Sequence, residues 1–558
     1  MKLFSSPFAR ITGRAAGSAL AFLSIGALLG GATLALAPWF VSSRTLVDAL
    51  ATQAQNATGL YLAAPGGARL ALTPRPHIAV DTVGLADRNG ALLIEVEHLY
   101  GVLKLPSLLA GRLEVGSIAL IHPRATINLD DKTIDAPGAA SRAAAAHPGT
   151  PQAQKADSAR LALVSVVDGS LRLRHGGRDY AADRIEATLD WRKVGDMATL
   201  TGAFDWRGER LEGLLWVARP GQMLRGELSV ATASLDGESL KLEAQGLAQL
   251  GANGRFNGRI AGSTPFVRQA LRLLDIAAPL PGPFGDGQFS AQASLGANDA
   301  RLKDLRLFVD GNEFTGSATL RRDKERFGLT AALRSDFVSL TPMLAETPTL
   351  LASDGQWSHE PFEPPDLANA DVDLHVDAGH ARLGRLSVDN AALDLTLRDG
   401  ALDIALTHAQ AYRGELKARA AFKPVQNGLS VRASAQTNRI DAGAMLWDAF
   451  GTQTLGGALD ATMALEADGA DMAALMQSLN GRATLGLSDG EIAGVDFDRA
   501  LRHMEKRPLS GAQNIRSGHS PLAAARTVVT IEKGQATIAD GSARGPGFTL
   551  AFSGGANI

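Results

Sequence analysis

The tightest constraint on this chain is an alternation of apolar and polar residues that keeps returning from about Leu70 onward in a sequence of 558 residues. Phe314, Gly316, Ala318 and Leu320 alternate with Glu313, Thr315, Ser317 and Thr319. Val372, Leu374 and Val376 alternate with Asp371, Asp373, His375 and Asp377. Leu393, Leu395 and Leu397 alternate with Asp394, Thr396 and Arg398, and beyond Asp399-Gly400 the pattern resumes with Leu402, Ile404 and Leu406. A period of two sends each apolar set to one face of a strand and each polar set to the other. Asp-Gly occurs nine times and Asn-Gly five times. Both dipeptides tolerate the positive φ angles of tight hairpins. Read as turns, these fourteen signals predict a long meander of antiparallel strands.

An apolar sheet face in water needs a cover. A second sheet supplies one in a sandwich or barrel. Acyl chains would supply one if the sheet curled along its length into a trough. Periodicity alone leaves both open.

Composition removes several functions. The net charge of -3 and the 5% aromatic content give neither the basic footprint nor the stacking surface of a nucleic-acid binder. Cysteine is absent, which excludes disulfides, thiolate metal sites and cysteine nucleophiles. The 60 glycines follow no collagen period, so they serve turns and crowded strands.

The N-terminus is different in kind. Lys2, Arg10 and Arg14 precede an uncharged, largely apolar run from Ala15 to Ser43. A membrane helix needs about 20 apolar residues. A cleaved signal has an apolar stretch of roughly 7–15 residues and a small-residue site, for which Ala35-Leu36-Ala37 is the candidate. The run is too long for that, Pro38 follows the site, and Trp39 and Phe40 suit an interfacial anchor. The expectation is a cytoplasmic stub at 1–14, a transmembrane helix at 15–41, and a body on the far side of the membrane, which in a bacterium is the periplasm.

Few helices are expected. Arg44–Ala54 places Leu46, Val47, Leu50 and Ala54 on one face, with Gly59 as a stop. LPSLLAG at Leu105–Gly111 allows one turn. A helix near 264–278 would carry Phe266, Val267, Ala270, Leu271 and Leu274 on one face. Asp471–Leu479 spaces Met472, Leu475, Met476 and Leu479 as a core face, and Asp496–Lys506 does the same with Phe497, Ala500, Leu501 and Met504. The Ala/Pro-rich stretch 131–160 reads as a disordered linker.

Catalytic chemistry finds no footing. LSDGEIAGVDFD, Leu487–Asp498, crowds Asp489, Glu491, Asp496 and Asp498 together. As a calcium loop it has Gly494 at the sixth position, but Ala493 and Ala500 stand where the fifth and twelfth need oxygen ligands. As architecture it reads as a strand, an Asp489-Gly490 turn, a return strand through Ile492, and a helix capped by Asp496. There is no H-E-x-x-H, G-x-S-x-G or phosphate-loop motif. Asn56-Ala57-Thr58 matches a glycosylation sequon, a pattern frequent by chance. His98, His122 and His408 sit in strand contexts. No catalytic residue, metal or cofactor is assigned.

At three places the chain resembles the AsmA family of bacterial envelope proteins. One is Leu72–Asp130, with its proline-led strand and LPSLLAG turn. Another is the strand–turn unit around LRLFVDGNEFTGSATL and LDLTLRDGALDIALTHAQAYRGELKARAAF, including Gly316 and Gly414. The most specific is LNGRATLGLSDGEIAGVDFDRALR, close to the family's L-x-G-x-x-x-L-x-L-x-D-G-x-I-x-G-[VI]-D-[LF], carried by Asp489, Gly490, Gly494 and Asp496. The family pattern continues beyond SGGANI with further strands. The resemblance implies a single-pass inner-membrane protein with a long, curled antiparallel β-sheet enclosing an apolar groove. It divides the body into an N-terminal module at 42–130, a hairpin body at 161–467 and a C-terminal module at 468–558. It implies movement of phospholipids toward the outer membrane and support of envelope assembly, with membrane phospholipids and envelope proteins as partners. It tips the balance from sandwich to trough, lined by Phe314, Leu320, Val372, Leu374, Val376, Leu393, Leu395, Leu397, Leu402, Ile404 and Leu406. The alternative is a scaffold that influences outer-membrane protein assembly and carries no lipid.

Overall fold

Alternation becomes strand almost wherever it occurs. A computed structural model of the chain describes residues 42–71, 75–109, 114–128, 130, 150–151, 162–175, 177–249, 254–274, 285–323, 326–341, 350–351, 355–362, 369–426, 428–497, 499 and 518–558. The expected anchor at 15–41, the stub before it, most of the linker 131–160 and most of the helix after Asp496, including Asp498, lie outside these residues. Among the described residues no helix is long and apolar enough to cross a membrane. The chain divides into two units, Met1–Arg255 and Phe256–Ile558.

The first unit carries twelve strands: β1 Tyr61–Ala63, β2 Ala68–Ala71, β3 His77–Ala86, β4 Leu92–Leu103, β5 Val115–Ile121, β6 Arg124–Asn128, β7 Leu163–His175, β8 Arg178–Asp190, β9 Ala198–Trp206, β10 Glu209–Val217, β11 Ser229–Asp236 and β12 Lys241–Gln249. Its helices are α1 Ser43–Thr58, α2 Leu105–Leu109 and α3 Pro220–Leu224. Ser42 caps α1 through a bond from the Thr45 N–H, and Gly59 ends it at φ 78°, the left-handed stop that glycine adopts without a Cβ penalty. The helix is longer than its expected Arg44–Ala54 span. Its apolar stripe lies over β2–β5, where Leu46, Ile78, Val80 and Val83 are each 1% exposed and Leu50, Leu99 and Val115 are buried beside them.

The second unit has fifteen: β13 Arg255–Thr264, β14 Gly287–Leu295, β15 Asp299–Val309, β16 Asn312–Asp323, β17 Arg326–Ser339, β18 Ala370–Leu383, β19 Leu386–Arg398, β20 Ala401–Ala411, β21 Gly414–Val425, β22 Gly428–Asp441, β23 Leu455–Gly469, β24 Asn480–Ala493, β25 His519–Glu532, β26 Gln535–Gly545 and β27 Phe548–Asn557. Three short helices join them: α4 Val267–Leu273, α5 Ala442–Phe450 and α6 Met472–Ser478. In α4 the buried residues are Ala270 and Leu273, whereas Phe266 and Leu274 are exposed. The helix therefore shows the sheet a different stripe from the one its sequence pattern favours.

The sheet is mixed rather than wholly antiparallel. β7 runs parallel to β5 and β6, and β18 runs parallel to β17. A parallel neighbour requires the chain to travel back along the strand before entering it. Both places fall at the longest connections, after Asn128 and after Ser339.

The Asp-Gly and Asn-Gly steps also divide. Asp310-Gly311 and Asp399-Gly400 are tight turns with positive φ at both residues. Asp489-Gly490 is not a turn. It lies inside β24, with Asp489 at φ 47°. On the β23 side Ala458 pairs with Ser488 and Gly456 with Glu491, so Asp489 and Gly490 together oppose the single Gly457 and form a bulge. Asp168 in β7 repeats this at φ 51°. The dipeptide's tolerance of positive φ is the same in both uses; the register of the partner strand selects which one occurs. Further register shifts interrupt β14–β15, β15–β16, β19–β20, β20–β21, β22–β23, β25–β26 and β26–β27. Each bends its own strand and increases its twist.

Candidate functional site

Register turns separate alternating strands into continuous rows. In the second unit one row runs Gly258, Ala293, Leu302, Ala318, Ala331, Leu374, Leu395, Ile404, Ala420, Ala433, Leu465, Gly481, Ile531, Ala536 and Ala556. It crosses every strand from β13 to β27 without one polar side chain. Its neighbour on the same face carries Leu333, Val376, Leu393, Leu406, Ala418, Ala435 and Met463. On the other side stand Leu320, Leu329, Val372, Leu397, Leu402, Phe422 and Val431. All eleven residues expected on the apolar face fall on these rows or, for Phe314, beside Leu307 at the next level.

This face is only partly covered. Phe314 and Leu397 are buried, whereas Leu374, Leu395, Ile404 and Leu406 are half-buried and Met463 is exposed. Its apolar clusters join neighbouring strands, or a short helix to the strands beneath it. α5 leaves β22 at Asp441 and enters β23, and α6 leaves β23 at Gly469 and enters β24. The two helices thus stand at opposite ends of β23. α6 packs Leu475, Met472 and Met476 against Ala467, Val431 and Ile531, so its methionines fill a core, as expected from their spacing. Phe362, from the connection between β17 and β18, joins the same cluster, and its N–H donates to the Ala470 carbonyl at 2.9 Å.

Charge collects on the opposite face. Arg419 donates to Asp403 at 2.7 Å, Arg326 to Asp371 at 2.8 Å, and His375 lies 2.6 Å from Asp394. The bond to Asp394 holds the His375 imidazole above its ordinary pKa, with Asp377 adding to it. These pairs are solvent-exposed, where water and salt screen them, so they add little to stability. Their larger effect is to keep ions off the apolar face, where desolvation penalises them. The polar face is not flat. Hollows of about 580, 490 and 460 Å³ lie along it, lined in part by Lys417, Arg419, Gln436, Ser434 and Thr462. A twisted sheet is saddle-shaped, which gives both faces concavity.

The apolar face also holds a half-open recess. A cavity of about 290 Å³ lies beneath Met445 of α5, walled by Leu340, Ala381, Val388, Leu416 and Ile440. Asp441 caps α5 by accepting from the Ala444 N–H at 3.1 Å. The Tyr412 hydroxyl donates to Asp448 of α5 at 3.2 Å, and burial, then this carboxylate, push its pKa up.

The acids of LSDGEIAGVDFD are dispersed rather than convergent. Asp489 occupies the bulge against β23, and Glu491 lies on the strand after it, paired with Gly456. A Cβ on Gly490 would meet the Gly456 carbonyl oxygen at 2.6 Å. Gly494 turns at φ 87°, with its N–H on the Gly518 carbonyl at 2.8 Å. Asp496 accepts from the Arg499 N–H at 2.8 Å, the N-cap bond expected of it.

Sequence reasoning missed the continuation of the rows through Ala418, Ala420, Ala433 and Ala435. Their signal was present as alternation of alanine with Lys417, Arg419, Arg432 and Ser434, but alanine marks a face weakly. It also missed the α5 cavity, whose walls come from five separated segments. A model of the AsmA family matches residues 351–540. No curated protein and no solved structure matches the chain.

Proposed function

We propose, from the premise that this chain belongs to the AsmA family, that it carries or guides phospholipids along the apolar face of its sheet. In this reading residues 15–41 hold it in the bacterial inner membrane, the body lies in the periplasm, and lipid moves toward the outer membrane in support of envelope assembly. The observation that carries the reading is the row from Gly258 to Ala556: fifteen consecutive strands in register, all apolar, with half-buried side chains at its centre. Each methylene of an acyl chain laid there is worth roughly 0.8 kcal/mol relative to water. A continuous row lets the chain slide without surrendering that contact at any one step. With strands about 4.8 Å apart, fourteen steps give a contour on the order of 70 Å. Head groups remain in water. No covalent step is needed, and direction comes from a lipid gradient or an energised partner.

A second reading has its own observation. The polar face is also concave, and its hollows between β20 and β25 could seat a protein partner, as in a scaffold for outer-membrane protein assembly. The two faces can be tested separately. Leu395→Asp and Ile404→Asp are expected to lower phospholipid co-purifying with the full chain, read by native mass spectrometry, by about tenfold, because a charge on the row must be desolvated by a passing chain. Arg419→Ala and Gln436→Ala are expected to leave it unchanged. Unchanged lipid in the first pair, with a lost envelope phenotype in the second, overturns carriage in favour of the scaffold.

A further inference from the structure

The recess beneath α5 differs from the open face in having an apolar interior and a charged mouth. Its walls continue the apolar face toward the strand ends: Ala381 pairs with Val388 across β18–β19, and Leu416 follows on the same face as Ala418 and Ala420. At its mouth is the β18–β19 turn, Leu383-Gly384-Arg385-Leu386, with Gly384 at φ 60°. Leu383 and Leu386 are 42% and 39% exposed. Facing the turn, α5 presents Trp447 and Phe450, 49% and 75% exposed. The Arg385 guanidinium lies 5.5 Å from the Trp447 ring centroid, and Arg382, which lines the cavity, donates to the Gly384 carbonyl at 2.7 Å. Among the described residues neither arginine pairs with a carboxylate. The nearest acid on α5, Asp448, is engaged by Tyr412.

We propose that this recess is a lateral loading point, where one acyl chain of a phospholipid lies beneath Met445 and its phosphate meets Arg382 and Arg385. An apolar slot alone would accept any apolar body. Two guanidiniums at its rim with no carboxylate partner among the described residues add complementarity to a phosphate, which arginine recognises through its fork of donors. Exposed Trp and Phe beside them suit the boundary between head groups and chains, where such rings collect. Lipid therefore joins the row from the side, at the ends of β18–β22, and needs no entry at the terminal strands. The site rests on the phospholipid reading above and gives that reading an address.

The test places a diazirine amino acid at Met445 in one full-length chain and at Ala420, mid-face, in another. Cells are irradiated and phospholipid adducts on the purified chain are read by mass spectrometry. Adducts are expected at Met445. They are expected to fall about fivefold with Arg385→Glu and to persist with Arg385→Lys, the size of one exposed charge contact. Arg385 is exposed, so an unchanged thermal melt will confirm that the Glu variant folds. Adducts at Ala420 but not Met445 overturn the loading point and leave carriage along the face standing. Adducts at neither position overturn both. Adducts at Met445 that ignore Arg385→Glu overturn the phosphate contact and with it the site as drawn.

Discussion

Ile78 and Ile404 sit in similar alternating strands, and their surroundings could hardly differ more. Ile78 is 1% exposed beneath α1, whose Leu46 and Leu50 complete its packing. Ile404, paired with Leu395 and Ala420 on the neighbouring strands, is half-buried. Within the first unit the same contrast recurs. A row in register runs Leu70, Ile78, Gly101, Ile118, Val164, Leu189, Leu200, Leu215, Ala233 and Ala244. Beneath α1 it is closed, but at Leu200 and Leu215 it is 40% and 41% exposed. Alternation makes an apolar face, and a separate element decides whether that face becomes a core or a surface.

The contrast predicts a graded set of effects. Ile78→Ala is expected to cost about 2–5 kcal/mol, since a closed core collapses poorly around the deletion. Ile404→Ala removes less area from water and is expected to cost about 1 kcal/mol. Chemical denaturation of the full chain compares them, and equal costs would show that Ile404 is as well covered as Ile78. Next in size are the helix caps. Ser42→Ala and Asp441→Ala each remove a cap bond and are expected to cost about 1 kcal/mol. Hydrogen exchange should place the first loss in β2–β5 and the second in α5 alone. Gly490→Ala is expected to cost about 1 kcal/mol or more, because its Cβ would press on a backbone carbonyl; an unchanged melt would mean that the β24 bulge yields easily.

The smallest effect belongs to the polar face. His375 has a raised pKa in the folded chain, through Asp394 first and then Asp377. Its contribution is therefore fully present below the ordinary imidazole pKa and is lost as pH rises through the folded value. His375→Gln should reduce stability slightly at about pH 6 and not at about pH 8.5, by less than about 0.5 kcal/mol, because solvent screens an exposed pair. A larger change, or one confined to high pH, would break the distinction between a wet face that sorts charge and a dry one that holds the sheet.

Much of the architecture was legible because strand alternation is local. Phe314, Leu374, Leu395 and Ile404 were readable as one face from residues two apart. The tight turns at Asp310 and Asp399 were readable from φ tolerance. The Asp489-Gly490 step was not, since a bulge and a hairpin ask the same of the dipeptide and differ only in what the partner strand does. The parallel entries of β7 and β18 were also hidden, because a long connection does not state which edge it returns to. The recess under α5 depends on Leu340, Ala381, Leu416, Ile440 and Met445, which meet only through the pairing of β18 to β22.

By itself, then, the sequence determined that this chain makes strands with one apolar and one charged face, that glycine and aspartate punctuate them, and that its C-terminal part carries the AsmA pattern. The tertiary structure decided the rest: the register that lines fifteen short faces into one row, the helix that closes one stretch while others stay open, and the recess at the strand ends. The physical reason is range. Which side a residue faces is set by its own backbone, whereas what covers that side is set by residues tens or hundreds of positions away.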